Sequence, residues 1–142
     1  MMTISELAGR WTYRSFHNDP DPVDGDPQKA LDLFFAEAEF HFETVSDTEF
    51  SGVIDWKSGG LDMAGRLKPG SPETPVAFSI VGTGRVGSQT EGWQYDYNGC
   101  VAYRWPNGTN QIASLVGTVI RTKPHNGAPA GYTASFIAVK RS

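Results

Sequence analysis

The chain has 142 residues and a formal net charge of −4 at pH 7, and its 12 lysine and arginine residues are scattered along the sequence. Nucleic-acid binding needs clustered basic residues, so this composition predicts no nucleic-acid partner. The single cysteine, Cys100, excludes an intrachain disulfide and is typical of a reducing compartment, from which we predict a cytoplasmic location.

Residue types and periodicity favour one domain, residues 1–142, built from strands. Alternating polar and apolar residues recur in separate windows that end in turn residues. After a short helical turn at the N-terminus, the windows predict eight strands, at residues 10–17, 31–45, 49–57, 61–67, 76–84, 93–104, 111–122 and 132–141. In the second window the alternation changes parity near residues 36–38, which a β-bulge would explain. A short helix over residues 28–36 is the alternative.

Eight predicted strands with short connections indicate an all-β fold, an eight-stranded antiparallel up-and-down β-barrel of the avidin or lipocalin type. A Greek-key sandwich fits the same strand count. In the barrel, Trp11 would seal one end beneath a cation from the last strand, Lys140 or Arg141. The loops after strands one, three, five and seven would share the other end, where long loops on a rigid scaffold tend to carry binding residues.

The open end of this predicted barrel is the candidate ligand site. If Trp11 points inward, a period of two also sends Tyr13, Ser15 and His17 inward. Aromatic side chains would give apolar contacts, serine, threonine and histidine would give hydrogen bonds, and the long first loop would cover the mouth. The predicted ligand contacts are Tyr13, Ser15, His17, Trp56, Ser88, Thr90, Trp93 and Tyr95.

The sixth window has two distinct faces. Trp93, Tyr95 and Tyr97 share one face, and Asp96 lies on the other. Barrel interiors are usually apolar, so we expect the aromatic face to point inward. With the opposite facing, Asp96 would lie inside the barrel as a potential general base.

Four segments resemble a known family: LAGRW at 7–11, FSGVIDW at 50–56, SQTEGWQYDYNG at 88–99 and GYTASFIAVKR at 131–141. They are similar to calycin-type barrels and most similar to the avidin/streptavidin family. That family has a Gly-x-Trp on strand one and a Ser-x-Thr-x-Trp on strand six, whose groups meet biotin. Ser88, Thr90 and Trp93 resemble this trio, with one extra residue before the tryptophan.

The resemblance implies the barrel fold but not biotin binding. Strand five of the family carries a tryptophan that residues 76–84 lack, and Val116 stands in strand seven where the family has another. The ligand-binding aspartate near the start of strand eight has no counterpart. Because family members form tetramers through outward barrel faces, the resemblance also implies a homo-oligomer, with Phe16, Val53 and Val81 as candidate contacts.

Three functions remain open from the sequence. The first is binding of a small, mostly apolar or aromatic molecule, without a cofactor. The second is a small barrel enzyme of the isomerase or cyclase type, with His17 and Asp96 as acid–base groups and Tyr97 as a donor. The third is an oligomeric structural or interaction barrel with a filled core.

Metal and membrane functions are not predicted. The acidic run at residues 19–26 lacks the EF-hand pattern, and the histidines at 17, 41 and 125 form no local ligand pair. No apolar run reaches the length of a transmembrane helix, and the first residues lack the pattern of a secretory signal.

Overall fold

The computed structural model describes residues 2–18, 25–31 and 33–141. Within them the elements are α1 (Ile4–Leu7), β1 (Gly9–His17), α2 (Pro27–Leu31), β2 (Phe34–Thr44), β3 (Glu49–Trp56), β4 (Gly59–Lys68), β5 (Ala77–Gly84), β6 (Gln94–Val101), β7 (Ser114–Lys123) and β8 (Thr133–Val139). Each strand pairs antiparallel with its neighbours in sequence, and β8 pairs antiparallel with β1. The result is a closed up-and-down barrel, which confirms the predicted fold class over the sandwich.

The change of parity in the second strand is a bulge. Ser15 of β1 pairs with Ala36, but the next residue, Phe16, pairs with Phe34. Phe35 is therefore the extra residue, and a bulge redirects the side chains around it. The sequence allowed either a strand or a short helix over residues 28–36. The structure has parts of both, since α2 ends at Leu31 and β2 begins at Phe34.

Strand alternation fills the barrel interior with aromatic rings. In β1, Tyr13 is buried while its neighbours Thr12 and Arg14 are exposed, as a period of two requires. On the two neighbouring strands, the rings of Phe40 and Phe136 lie 5.0 Å and 5.4 Å from that of Tyr13 between centroids. Tyr97 lies 5.9 Å from each of the same two phenylalanines. We call these four rings, Tyr13, Phe40, Tyr97 and Phe136, the aromatic layer.

Trp11 closes one end of the barrel below the aromatic layer. Its side chain is fully buried, and its indole Nε1 donates a hydrogen bond to the Leu7 carbonyl at 2.8 Å. The ammonium group of Lys140 lies 5.2 Å from the indole centroid and donates hydrogen bonds to the carbonyls of Glu6 and Ala8. Trp11 therefore seals the barrel beneath a cation from the end of the chain, as the sequence predicts.

The backbone conformation at Gly9, two residues before Trp11, explains why glycine occupies this position. Gly9 has a φ of 119°, in a region that residues with a side chain rarely adopt. This backbone joins α1 to β1 and lets the helix fold over the end of the barrel. Of the loop predicted to cover the opposite end, residues 19–24 lie outside the described residues. No described helix is both long and apolar enough to span a bilayer.

The seal at Trp11 gives a first prediction. Lys140→Met keeps most of the side-chain volume but removes the cation over the indole and both hydrogen bonds to α1. We expect the free energy of unfolding to fall by about 1–3 kcal/mol, measured by urea denaturation. The control is Lys68→Met at the exposed end of β4, which should change stability by less than about 0.5 kcal/mol. Equal stability of the two variants would contradict the structural role of Lys140.

Candidate ligand-binding site

A cavity of about 480 Å³ lies above the aromatic layer, toward the end of the barrel opposite Trp11. Its volume lies within the range of roughly 300–1,000 Å³ that is usual for small-molecule sites. Tyr13, Tyr97 and Val119 line its deeper part, and Trp56 and Trp93 lie at its rim. The wall is therefore mostly apolar and aromatic, with few polar groups.

Three nearly parallel rings form one side of the rim. The Trp56 and Trp93 centroids are 6.2 Å apart with 16° between the ring planes. The imidazole of His125 stacks on Trp93 at 3.7 Å and 12°. We call Trp56, Trp93 and His125 the ring stack. It combines the end of β3, the β5–β6 loop and the β7–β8 loop, so the barrel brings together residues that are distant in sequence.

The loop that carries Trp93 is fastened by its own hydroxyl groups. Thr90 Oγ1 accepts a hydrogen bond from the Arg85 amide at 3.1 Å and donates one to the Gly60 carbonyl at 2.9 Å. Ser88 Oγ donates to the Arg85 carbonyl at 2.7 Å. A side chain at Gly84 would lie 1.5 Å from the Thr90 carbonyl oxygen, so only glycine permits this close approach.

Ion pairs hold the same loop to the barrel. The Arg85 guanidinium contacts the carboxylates of Asp55 on β3 at 2.9 Å and Asp62 on β4 at 3.2 Å. These pairs are partly exposed, so each adds little to stability by itself. Together with the Thr90 bonds they fix the loop against two strands, and this holds Trp93 in place at the rim.

A polar network lies beside the ring stack. The Arg121 Nε group donates a hydrogen bond to Tyr95 Oη at 3.0 Å, and Tyr95 Oη is also 2.8 Å from Nε2 of His125. The Arg121 guanidinium carbon lies 5.3 Å from the Tyr132 ring centroid, and Tyr132 is hydrogen-bonded to His17. A continuous series of contacts therefore runs along the rim from β1 to the β7–β8 loop.

The surroundings of His125 favour its uncharged form. Burial lowers the pKa of its imidazole, and the positive charge of Arg121 lowers it further. Its Nδ1 atom is buried and has no hydrogen-bond partner within the described chain. The ring therefore enters the stack as an uncharged aromatic group with an unused polar atom.

The structure brings half of the predicted ligand contacts to the cavity. Tyr13, Trp56, Trp93 and Tyr95 line it, which places the aromatic face of β6 inside as expected. His17 lies at the rim, with its ring centroid 4.7 Å from that of Phe35.

The predicted hydroxyl contacts lie elsewhere. Ser15 is fully buried but outside the cavity wall. Its hydroxyl lies near the Tyr13 phenol but has no hydrogen bond of normal geometry among the described residues. The Ser88 and Thr90 hydroxyls are hydrogen-bonded to backbone groups of Arg85 and Gly60 instead. That any of these residues binds a ligand stays a prediction.

The three candidate catalytic residues do not form one site. Tyr97 is buried at the base of the cavity, and His17 lies at the rim. Asp96 lies on the outer surface of the barrel, between Val81 of β5 and Ile120 of β7. Alternation along β6 explains this, because Tyr95 and Tyr97 point inward and Asp96 must therefore point outward.

Sequence analysis did not predict several residues of the cavity wall, among them Phe35, Arg121 and His125. Arg121 has a visible signal, since it shares the inward parity of Leu115 and Val119 on β7. Phe35 depends on the exact position of the bulge. His125 lies in a turn-rich loop, where no periodicity indicates a direction.

No group of three or more histidine, cysteine, aspartate or glutamate residues that could hold a metal ion occurs in the part of the chain that the structure describes. Searches with family models, curated proteins and solved structures find no match to the chain. The barrel is consistent with a calycin-like fold on its topology alone.

Two buried tyrosines predict a pH dependence of stability. Burial raises the pKa of the Tyr13 and Tyr97 phenols above the ordinary 10.0. The unfolded chain loses these protons near pH 10.0 while the folded chain keeps them, so the free energy of unfolding falls as the pH rises further. The expected slope is up to about 1.4 kcal/mol per pH unit for each tyrosine.

Urea denaturation at a series of alkaline pH values, with tyrosinate absorbance as a second signal, measures this slope. Tyr97→Phe should remove one of the two contributions and leave the pH dependence below this range unchanged. Tyr103→Phe, at an exposed position in the β6–β7 loop, is the control and should keep the slope of the unchanged protein. An unchanged slope in Tyr97→Phe would contradict the burial argument.

We expect removal of the two buried hydroxyls, those of Thr90 and Ser15, to affect stability differently. Thr90→Val leaves the Arg85 amide and the Gly60 carbonyl without their partner, at a cost of about 1–3 kcal/mol. Ser15→Ala removes a hydroxyl that is unpaired among the described residues, so it should be neutral or stabilising. Urea denaturation of both variants checks the difference. A loss in Ser15→Ala as large as that in Thr90→Val would show that the Ser15 hydroxyl is satisfied in solution.

Proposed function

We propose that this protein binds a small, largely apolar or aromatic molecule in the cavity at the open end of the barrel. The observation that carries the proposal is the cavity of about 480 Å³, which has an aromatic wall and a rim of stacked rings. A concave, mostly apolar pocket with a few convergent polar groups is the usual form of a small-molecule site.

The fixed positions of the wall residues support the proposal. Trp93 is held by a loop bonded to β3 and β4, and Tyr95 is held by Arg121 and His125. Aromatic side chains with fixed positions offer large contact areas and lose little conformational freedom when a ligand arrives. The same empty volume weighs against a filled barrel that serves only as a scaffold.

The other interpretations receive less support. The enzyme interpretation would need His17 and Asp96 to act together, but Asp96 lies on the outer surface. Contact between copies of the chain is the second part of the proposal, supported by Val81 and Ile137, which are exposed on the outer barrel face. We also propose a cytoplasmic location and a relationship to avidin-like barrels. The proposal does not include biotin as the ligand.

The test uses phenylnaphthylamine, an uncharged planar probe whose fluorescence rises in an apolar site. We expect it to bind the protein, and Trp56→Ala and Trp93→Ala each to weaken binding about tenfold, or about 1.4 kcal/mol, through loss of ring contact. The control is Trp105→Ala, since Trp105 is 69% exposed in the β6–β7 loop at the other end of the barrel.

The variants distinguish the cavity from other apolar surfaces. Equal binding in the two rim variants and in the control would contradict the assignment of the site. Loss of binding only in Trp105→Ala would place the probe at the opposite end of the barrel and contradict it as well.

A further inference from the structure

We propose that the molecule bound in the cavity is an aromatic anion, a planar body that carries a carboxylate, sulfonate or similar group, and that Arg121 binds the anionic group. This inference rests on the proposed function and adds the chemical class of the ligand. The inference is based on the buried charge of Arg121, whose partners among the described residues are all uncharged.

Arg121 is buried, with 7% of its surface exposed, yet none of the described residues supplies a counter-ion. Its partners are the Tyr95 hydroxyl at 3.0 Å, the Pro129 carbonyl at 3.1 Å and the faces of Tyr95 and Tyr132. No carboxylate of the described residues lies within 4.0 Å of its guanidinium nitrogens. Buried charges in proteins are normally paired, so this one is a candidate for pairing with a ligand.

The guanidinium has donors to spare. An arginine side chain carries five N–H donors. Those at Nε and one at Nη1 have protein acceptors, but Nη2 of Arg121 has none within the described chain. Because arginine donors form a planar fork that matches a carboxylate or sulfonate, the unused nitrogen suits an anionic oxygen.

Strand parity directs this charge into the cavity. Arg121 follows Val119 at a spacing of two on β7, and both residues line the cavity wall. The Tyr95 and Pro129 hydrogen bonds hold the guanidinium in place before any ligand arrives. A donor that is already oriented loses little conformational entropy on binding.

The other charges of the cavity wall favour an anion as well. Lys57 adds a second positive charge, and the only acidic residue of the described wall is Glu37. The Glu37 carboxylate lies 3.8 Å from Arg14 in an exposed ion pair, so its charge is already compensated. The charges of the described wall thus sum to a positive value in a chain whose net charge is −4, and such a wall attracts anions.

The aromatic part of the ligand follows from the neighbours of Arg121. Tyr95 touches Arg121 on one side and His125 on the other, and the Trp93 ring lies 6.5 Å from that of Tyr95. An anionic group on Arg121 would place an attached ring beside the ring stack. The Arg121 guanidinium is the buried charge nearest these rings, so the charge preference depends on Arg121.

The test compares two probes with the same planar scaffold: anilinonaphthalene sulfonate, which is anionic, and phenylnaphthylamine, which is not. We expect Arg121→Gln to weaken binding of the sulfonate roughly 10- to 100-fold, as for a lost hydrogen bond to a charged group. Binding of the neutral probe should change less than about threefold. Arg121→Lys keeps the charge but loses the fork, so it should bind the sulfonate more tightly than Arg121→Gln and more weakly than the unchanged protein. Arg104→Gln, at an exposed position in the β6–β7 loop, should keep all of the affinity.

A salt titration of the unchanged protein tests the same point without a variant. Salt screens a partly buried ion pair only in part, so the affinity for the sulfonate should fall modestly with rising salt, while that for the neutral probe should not. This result stands even where Arg121→Gln fails to fold. Salt-independent binding of the sulfonate, or equal weakening of both probes by Arg121→Gln, would overturn the inference.

The probes also separate this inference from the proposed function. Binding of both probes that depends on Trp93 but not on Arg121 would retain the cavity as a binding site and overturn its preference for anions. Absence of Trp93-dependent binding of either probe to the unchanged protein would overturn both proposals.

Discussion

The contact between Lys140 and Trp11 determines which end of the barrel is available. The ammonium over the indole, together with the Trp11 hydrogen bond to Leu7, fastens α1 across one end. A barrel of eight strands has an interior that side chains alone nearly fill. Because the seal and the aromatic layer occupy the lower part of that interior, the free volume among the described residues lies toward the opposite end, where we propose the site.

Contacts outside the cavity hold the residues of the open end in position. Thr90, Arg85 and the ion pairs with β3 and β4 hold the β5–β6 loop, and this loop presents Trp93 to the rim. The side chains that would meet a ligand are therefore supported by bonds that the ligand does not touch. This separation explains why residues resembling a binding motif in sequence can instead be structural supports of the site.

Alternation along strands made most of the fold predictable from the sequence. The inward direction of Trp11 and Tyr13, the aromatic face of β6 and the bulge in β2 all follow from a period of two. The roles of Ser88 and Thr90 could not be read in this way, because a loop hydroxyl meets backbone or ligand according to contacts that only the folded chain defines. The sequence did not indicate Arg121 as a residue of the cavity wall, because a charged residue at an inward position contradicts the expectation of an apolar interior.

The link between α1 and the end of the chain also bears on how the molecule folds. The Lys140 bond to the Glu6 carbonyl joins residues that are 134 positions apart, and the pairing of β1 with β8 spans a similar distance. Contacts of such long range form slowly, because the chain must first lose the entropy of a very large loop. During synthesis, the sheet can grow strand by strand as a meander while its first and last edges stay unpaired. The barrel therefore cannot close until β8 is available to pair with β1, and the open sheet before closure is the state with the greatest risk of aggregation.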